Sequence, residues 1–279
     1  MKNIKKLLLA LLALALLVGC SSGGSASTDT STDTADKTIK VGATAVPHAM
    51  ILNDVVKGIL ANEGWTLEVV EFTDYVTPNT SLEEGELDAN YFQTLGYLED
   101  QNETRGLHLV AVAGIHYEPM TVFAKTYTDL SQISDGDQIA VPNDYDNEKR
   151  ALAVVAAAGL IEYDADSVAA DGSPLDGITS NPKNLVFQEV EAANVANVLD
   201  DVAALVINGN YALESNIKDR ANNLFVEVPD IAKRTNYVAV KEGNENSEKT
   251  QALVAAITSP EVKAYIEENY GSAVICVFE

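Results

Sequence analysis

Arg150 carries the most pointed chemistry in the sequence. It ends Pro142-Asn143-Asp144-Tyr145-Asp146-Asn147-Glu148-Lys149-Arg150, a polar run that leaves an apolar strand and enters an Ala-rich helix. If Asn147 caps that helix, Arg150 falls in the first turn, where the helix dipole already presents positive charge. A guanidinium there fits an anion held between it and the free backbone N–H groups. It equally fits an exposed Arg paired with Asp146 or Glu148. Asn208 closes the apolar stretch Ala204–Ile207. Its amide offers one acceptor and two donors without charge, which suits either end of a zwitterion, although Ile207-Asn208-Gly209-Asn210 also reads as an ordinary turn. Further polar and aromatic residues gather at Asp74-Tyr75 with Pro78-Asn79, at Asn90–Tyr97, and at Asn236. These are places where strands should begin or end. Open α/β sheets bind ligands at the carboxyl ends of strands and at the helix N-termini that follow.

Covalent chemistry leaves no comparable signature. The chain has no Gly-x-Ser-x-Gly elbow, no phosphate loop and no His-Glu-x-x-His. Its three histidines, His48, His108 and His116, lack metal-ligand spacing, so neither a metal nor a cofactor is expected and no catalytic residue is assigned. A carboxylate pair stays open, because a chain with 42 acids contains many candidates.

The elements that must position these residues read as α/β. Thr38-Ile39-Lys40-Val41-Gly42 alternates like a strand, and Pro47 can start a helix carrying Ile51, Leu52, Val55, Val56, Ile59 and Leu60. A second strand is expected over 66–72, and Thr77-Pro78 with Gly85 brackets a short helix. Later strands are expected at 138–141, 185–190, 204–207 and 237–240, with helices at 147–158, 191–201, 248–257 and 260–268. Strands alternating with helices of this length predict parallel sheets covered on both faces.

The N-terminus sets the compartment. Lys2, Lys5 and Lys6 precede an apolar run of 12 residues, 7–18, well short of the roughly 20 that span a bilayer. Leu17-Val18-Gly19-Cys20 resembles the bacterial lipoprotein cleavage box, which implies a signal peptide over 1–19 and a lipidated (palmitate-bearing) Cys20. Several acyl chains hold a protein on a membrane where one would not. The Ser-, Thr- and Asp-rich stretch that follows buries too little to fold, so 20–37 reads as a tether. Removing the leader leaves 260 residues and takes three lysines, moving the formal net charge from −24 to −27. Such a surface repels nucleic acid. With Cys20 lipidated, Cys276 has no disulfide partner and reads as a small buried hydrophobe.

At its polar segments the chain resembles the NlpA/MetQ-type family of methionine-binding lipoproteins, the binding subunits of ABC importers. The matching stretches are Val41–His48, Val70–Asn79, Gly85–Gln93, Ile139–Asp144 with Arg150, Asn181–Leu185 and Ala204–Ala212, in order. The resemblance implies a periplasmic-binding-protein-like α/β fold, two α/β lobes around a ligand cleft joined by two hinge crossovers. Lobe 1 would take 38–124 plus 237–279, and lobe 2 would take 125–236. It implies a ligand carboxylate on Arg150 beside Asn147, an amino acid's polar end on Asn208 and Asn236, and a side-chain pocket of Tyr75, Tyr97 and Phe92. Folding should not depend on Arg150 in that reading. Implied partners are a small amino acid, methionine favoured, an importer permease with its ATPase, and the membrane through Cys20. Thr94, Gly96 and Phe123 stand where relatives carry His, Pro and Tyr, so amino-acid binding is implied more firmly than methionine. A different small amino acid or a methionine-containing dipeptide is the alternative. An extracytoplasmic hydrolase and a sensor or adhesin module on the same fold are the alternative classes.

Overall fold

The computed structural model describes residues 36–169 and 171–279. The expected leader, Cys20 and the tether through residue 35 lie outside the described residues.

Strand β1 (Thr38–Thr44) pairs in parallel with β2 (Thr66–Phe72), Thr38 opposite Thr66. Two π-helical turns, Ala45–Ala49 and Leu52–Val56, lead into α1 (Lys57–Asn62) and form the crossover. Ile51, Leu52, Val56 and Leu60 bury on one side of it, which is the helical periodicity of the sequence put to use. Pro47 lies inside the first of these turns. After α2 (Thr77–Glu83) come β3 (Ala89–Thr94), α3 (Leu95–Arg105) and β4 (Leu109–Tyr117). Strand β3 does not alternate, because it is buried along its whole length. Its polar residues satisfy one another there: the Asn79 amide donates to Gln93 at 2.8 Å, and the amides of Asn90 and Gln93 donate to Asn79 at 2.8 and 2.7 Å.

The chain then leaves this sheet through Glu118–Met120 and enters β5 (Thr121–Ala124). Next come β6 (Gln138–Pro142), α4 (Tyr145–Ala157), the short antiparallel pair β7 (Glu162–Tyr163) and β8 (Ile178–Ser180), and β9 (Val186–Val190). A 3-10 segment (Ala192–Val198) takes most of the helix expected over 191–201. Strand β10 (Ala204–Ile207), α5 (Gly209–Glu214), β11 (Asn222–Val226) and α6 (Ile231–Arg234) follow. The return is by β12 (Thr235–Lys241), then α7 (Glu248–Ile257), α8 (Pro260–Tyr270) and β13 (Ile275–Cys276).

The first sheet has the order β13-β4-β12-β3-β1-β2 and the second β11-β5-β10-β6-β9. Both are mixed rather than parallel. Strands β12 and β5, which carry the chain between sheets, run antiparallel to their neighbours because they arrive from the opposite side. Residues 121–124, expected with the first sheet, pair with β10 and β11 in the second, and Thr235 and Asn236 already belong to the first. Each sheet has its own apolar core, led by Val41, Tyr91 and Ile115 in one lobe and by Val122, Ile139 and Val206 in the other. Cys276 is half-buried at the edge of the first sheet, not enclosed, because β13 covers only Tyr117 and His116 of β4. Among the described residues no helix is long and apolar enough to cross a membrane.

Candidate functional site

The site forms where strand ends of both sheets face each other. Helix α4 is capped by Asp144, whose carboxylate accepts from the Asn147 backbone N–H at 3.0 Å. Asn147 is therefore the third helical residue, and Arg150 sits in the second turn rather than the first. The helix dipole does not account for Arg150; its partners do. The side chain is 4 % exposed and pairs with neither Asp146 nor Glu148. Its Nε and Nη2 donate to the two carboxylate oxygens of Glu227 at 2.9 and 2.6 Å, and Nη2 also donates to the Glu118 carbonyl at 2.7 Å. The same Glu227 carboxylate accepts from the Met120 backbone N–H at 2.9 Å and the Tyr117 hydroxyl at 3.0 Å. Burial works against an ionised Glu227, but the guanidinium holds its carboxyl below the usual range. One carboxylate thus ties α4 to both crossings between the sheets.

An amide chain fixes the opposite wall. Asn208 donates to Asn147 Oδ1 at 2.7 Å, and Asn147 donates to Asp144 Oδ1 at 2.8 Å. Burial raises the Asp144 carboxyl to about 6, which leaves it ionised at neutral pH. An ionised carboxylate only accepts, so the orientation of both amides follows from it. Among the described residues Asn208 Oδ1 is left as a buried acceptor without a partner. Asn208 is the residue before α5, so Ile207-Asn208-Gly209-Asn210 enters a helix and is not an ordinary turn. Tyr75 donates to Asn210 Oδ1 at 2.5 Å, and Asn210 Nδ2 is a buried donor without a partner among the described residues. Tyr75 also stacks on Tyr211 at 4.9 Å between centroids and lies 5.7 Å from both Phe92 and Tyr97.

Thr94 caps α3, accepting from the Tyr97 backbone N–H at 3.4 Å, and its hydroxyl lies 3.5 Å from Asp146. A Cβ on Gly96 would stand 2.7 Å from Asp146 Oδ1, so the absence of a side chain lets the two lobes approach here. Asp146 pairs across to Arg234 at 3.1 Å. Asn236 accepts from His48 Nε2 at 3.3 Å.

One small cavity is lined by Tyr75, Phe92, Thr94, Tyr97, Asn147, Arg150, Asn208 and Asn236 together. All the ligand-contacting residues expected from sequence therefore share one cavity, between the two sheets. Gln93, Glu118, Gly209 and Asn210 complete the lining and were not singled out. Asn210 and Gln93 lay inside the polar segments. Glu118 gave no signal beyond preceding Pro119-Met120, because only the topology shows that the chain changes sheets there.

Two of the three histidines meet at Glu118, contrary to the reading from their spacing. His116 Nε2 lies 2.6 Å and His48 Nε2 3.4 Å from Glu118 Oε1. The three side chains could reach one metal ion. However, every ring nitrogen already has a partner: Thr44 on His48 Nδ1 at 2.8 Å, the Tyr91 hydroxyl on His116 Nδ1, and the oxygens just named. The four ring nitrogens are thus all engaged without an ion. His108 is exposed beside Glu83.

A sequence profile of the NlpA lipoprotein family matches residues 39–278. The methionine-binding lipoprotein MetQ of Bacillus subtilis is 34 % identical over 282 residues, covering 99 % of this chain and 100 % of that protein. The structure of a nutrient-binding protein from Burkholderia cenocepacia bound to methionine superposes with a TM-score of 0.80 at 35 % identity, covering 86 % of this chain and 100 % of that one. An ABC transporter periplasmic substrate-binding protein from Coxiella burnetii gives a TM-score of 0.78 at 36 % identity, over 86 % and 100 % of the two chains.

Proposed function

This chain belongs to the NlpA lipoprotein family, and on that premise we propose that it is the binding subunit of an ABC importer, capturing methionine or a closely related amino acid. The observation that carries the ligand class is the set of unused polar atoms in the cavity. Asn208 Oδ1 is a buried acceptor and Asn210 Nδ2 a buried donor, each without a partner among the described residues, and Arg150 brings its guanidinium to the same lining. Buried polar atoms without partners are costly, so a ligand carrying both donors and acceptors on one end is what such a wall binds. The aromatic side of Tyr75, Phe92 and Tyr97 suits an apolar or thioether side chain. Capture proceeds without chemistry: the two lobes close at the crossings, and the loaded form is presented to the permease and its ATPase. Native mass spectrometry of the protein as purified, followed by calorimetric titration of amino acids into stripped protein, tests this. Absence of binding to every amino acid, or turnover of methionyl peptides, defeats it.

The finer contacts give two expected results. Thr94→His places the family's usual residue at the cavity wall and removes the α3 cap, costing about 0.5–2 kcal/mol of stability. It should raise the preference for methionine over other amino acids in titration. Unchanged ratios would place residue 94 outside the side-chain pocket. We also read Cys20 as the lipid anchor that holds the protein on the outer face of the cell membrane. Cys20→Ala should then accumulate as unprocessed precursor, as wild type does under globomycin, and membrane fractionation reads the outcome. Normal processing and membrane retention of the variant would exclude the anchor.

A further inference from the structure

We propose that Glu118 is the counter-ion of the ligand's α-ammonium group, held ionised and aimed by the two histidines behind it, and that the site therefore accepts only a free primary amine. The inference rests on the amino-acid reading above and adds which end of the ligand is recognised by charge.

Glu118 is 3 % exposed and lines the cavity at the first crossing between the sheets. Arg150 is the other charged residue of the lining, and its charge is matched through two hydrogen bonds by Glu227. One negative charge therefore faces the cavity unmatched. A buried carboxylate in that state needs either several donors or a cation.

Its donors are identifiable. Burial keeps both imidazoles neutral, so each ring has a single N–H to place. His48 Nε2 faces Asn236 Oδ1 and Glu118 Oε1, both acceptors, so its proton is on Nε2 and the Thr44 hydroxyl donates to Nδ1. The same arrangement at His116 has Tyr91 donating to Nδ1 and Nε2–H donating to Glu118 at 2.6 Å. The Asn210 backbone N–H is turned to the carboxylate as well. His116 Nε2–H is the hydrogen bond to this group, while the His48 N–H, shared with Asn236, and the Asn210 backbone N–H lie toward it. Burial pushes the Glu118 carboxyl up, and these donors and the Arg150 guanidinium pull it back toward the ionised form. Neutral donors orient this charge and leave it uncancelled. The second oxygen, Oε2, accepts no side-chain hydrogen bond among the described residues, and glycine at 209 keeps a side chain off it. A Cβ there would stand 2.9 Å from Oε2 and 2.7 Å from the Glu118 Cβ. Asn208 Oδ1, unpartnered in the same lining, supplies a second acceptor. An ammonium group, with three N–H donors and a positive charge, answers both.

The geometry also decides what the amine cannot carry. Behind Glu118 stand His48, His116 and Tyr91, none more than 1 % exposed. Among the described residues these side chains leave no room behind Glu118 for an acyl group or a preceding residue. On the other side Arg150 also borders a larger, open groove between α3 and α4. The amine end is closed and the guanidinium end is not.

Calorimetric titration of L-methionine, 4-(methylthio)butanoate (methionine without its amine) and N-acetyl-L-methionine into wild type and Glu118→Gln tests the assignment. Wild type should bind methionine at least about a hundredfold tighter than either analogue. Glu118→Gln should bind methionine at least about tenfold more weakly while binding the desamino compound as well as wild type does, or better. Equal loss for methionine and the desamino compound would make Glu118 structural, and comparable wild-type affinities for all three compounds would overturn the proposal without any variant. Wild type that binds no amino acid defeats the underlying function; wild type that binds amino acids without preference for the amine defeats this inference alone.

Discussion

Replacing Arg150 with alanine will abolish ligand capture at micromolar concentrations and will also destabilise the fold. Both effects follow from one side chain standing between two negative partners. Inside the protein, Arg150 is the cation for Glu227, whose side chain is 10 % exposed. Truncating one member of a buried pair costs on the order of 3–5 kcal/mol, because the other charge remains uncompensated. Met120 N–H and the Tyr117 hydroxyl still donate to Glu227, which places the expected loss at the lower end of that range. This departs from the reading that Arg150 serves the ligand alone. Toward the ligand, a guanidinium lining a desolvated cleft gives a comparable loss, about a hundredfold or more in dissociation constant. The double variant Arg150→Ala/Glu227→Gln separates the roles. It should recover much of the stability in urea denaturation and none of the affinity in calorimetry. Recovery of both would mean that the ligand carboxylate is held elsewhere. Arg150→Lys should retain the charge but only one of the paired contacts, since an ammonium cannot reproduce the planar fork.

His116→Gln will change how stability depends on pH more than any exposed substitution. In the fold, burial pushes His116 to about 3 and His48 to about 4, from 6.5. As pH falls below 6.5 the unfolded chain takes up protons on these imidazoles and the folded chain does not. Each therefore subtracts about 1.4 kcal/mol per pH unit until its folded pKa is reached. Buried carboxyls run the other way. Burial, with Glu189 beside it, raises Glu148 to about 8, and burial raises Asp144 to about 6 and Glu118 above its usual value. These groups hold protons in the fold that the unfolded chain has released, so they gain stability as pH falls. The two sets oppose each other between about pH 6 and pH 4.5, and the wild-type curve should be shallow there. Glutamine at 116 can keep the contacts to Tyr91 and Glu118 but cannot titrate. Between about pH 6.5 and pH 4 the variant should therefore lose about 3 kcal/mol less than wild type. Urea denaturation at matched pH values measures this, and parallel curves would show that His116 is not held neutral.

Periodicity and short polar segments carry much of this protein in the sequence alone. Apolar side chains at helical spacing placed α7 and α8, and continuous apolar runs placed β6 and β10, because burial against one sheet imposes those patterns locally. The polar residues that line the cavity stood out for a related reason: asparagines follow or interrupt apolar strands there, and an arginine enters the helix after one of them. What remained hidden depends on contacts between distant segments. Strand β3 reads as polar because Asn79, Asn90 and Gln93 satisfy one another only once folded. The match of Arg150 to Glu227 joins residues 77 apart in sequence, and no local rule pairs them. His48 and His116 meet at Glu118 because β1 and β4 lie in one sheet with two strands between, an order set by the double crossing and not by spacing. Local physics chose the elements and marked the cleft. The tertiary structure chose which charges in that cleft are already matched, because matching a buried charge requires atoms within hydrogen-bond reach, and only the crossed topology brings those atoms together.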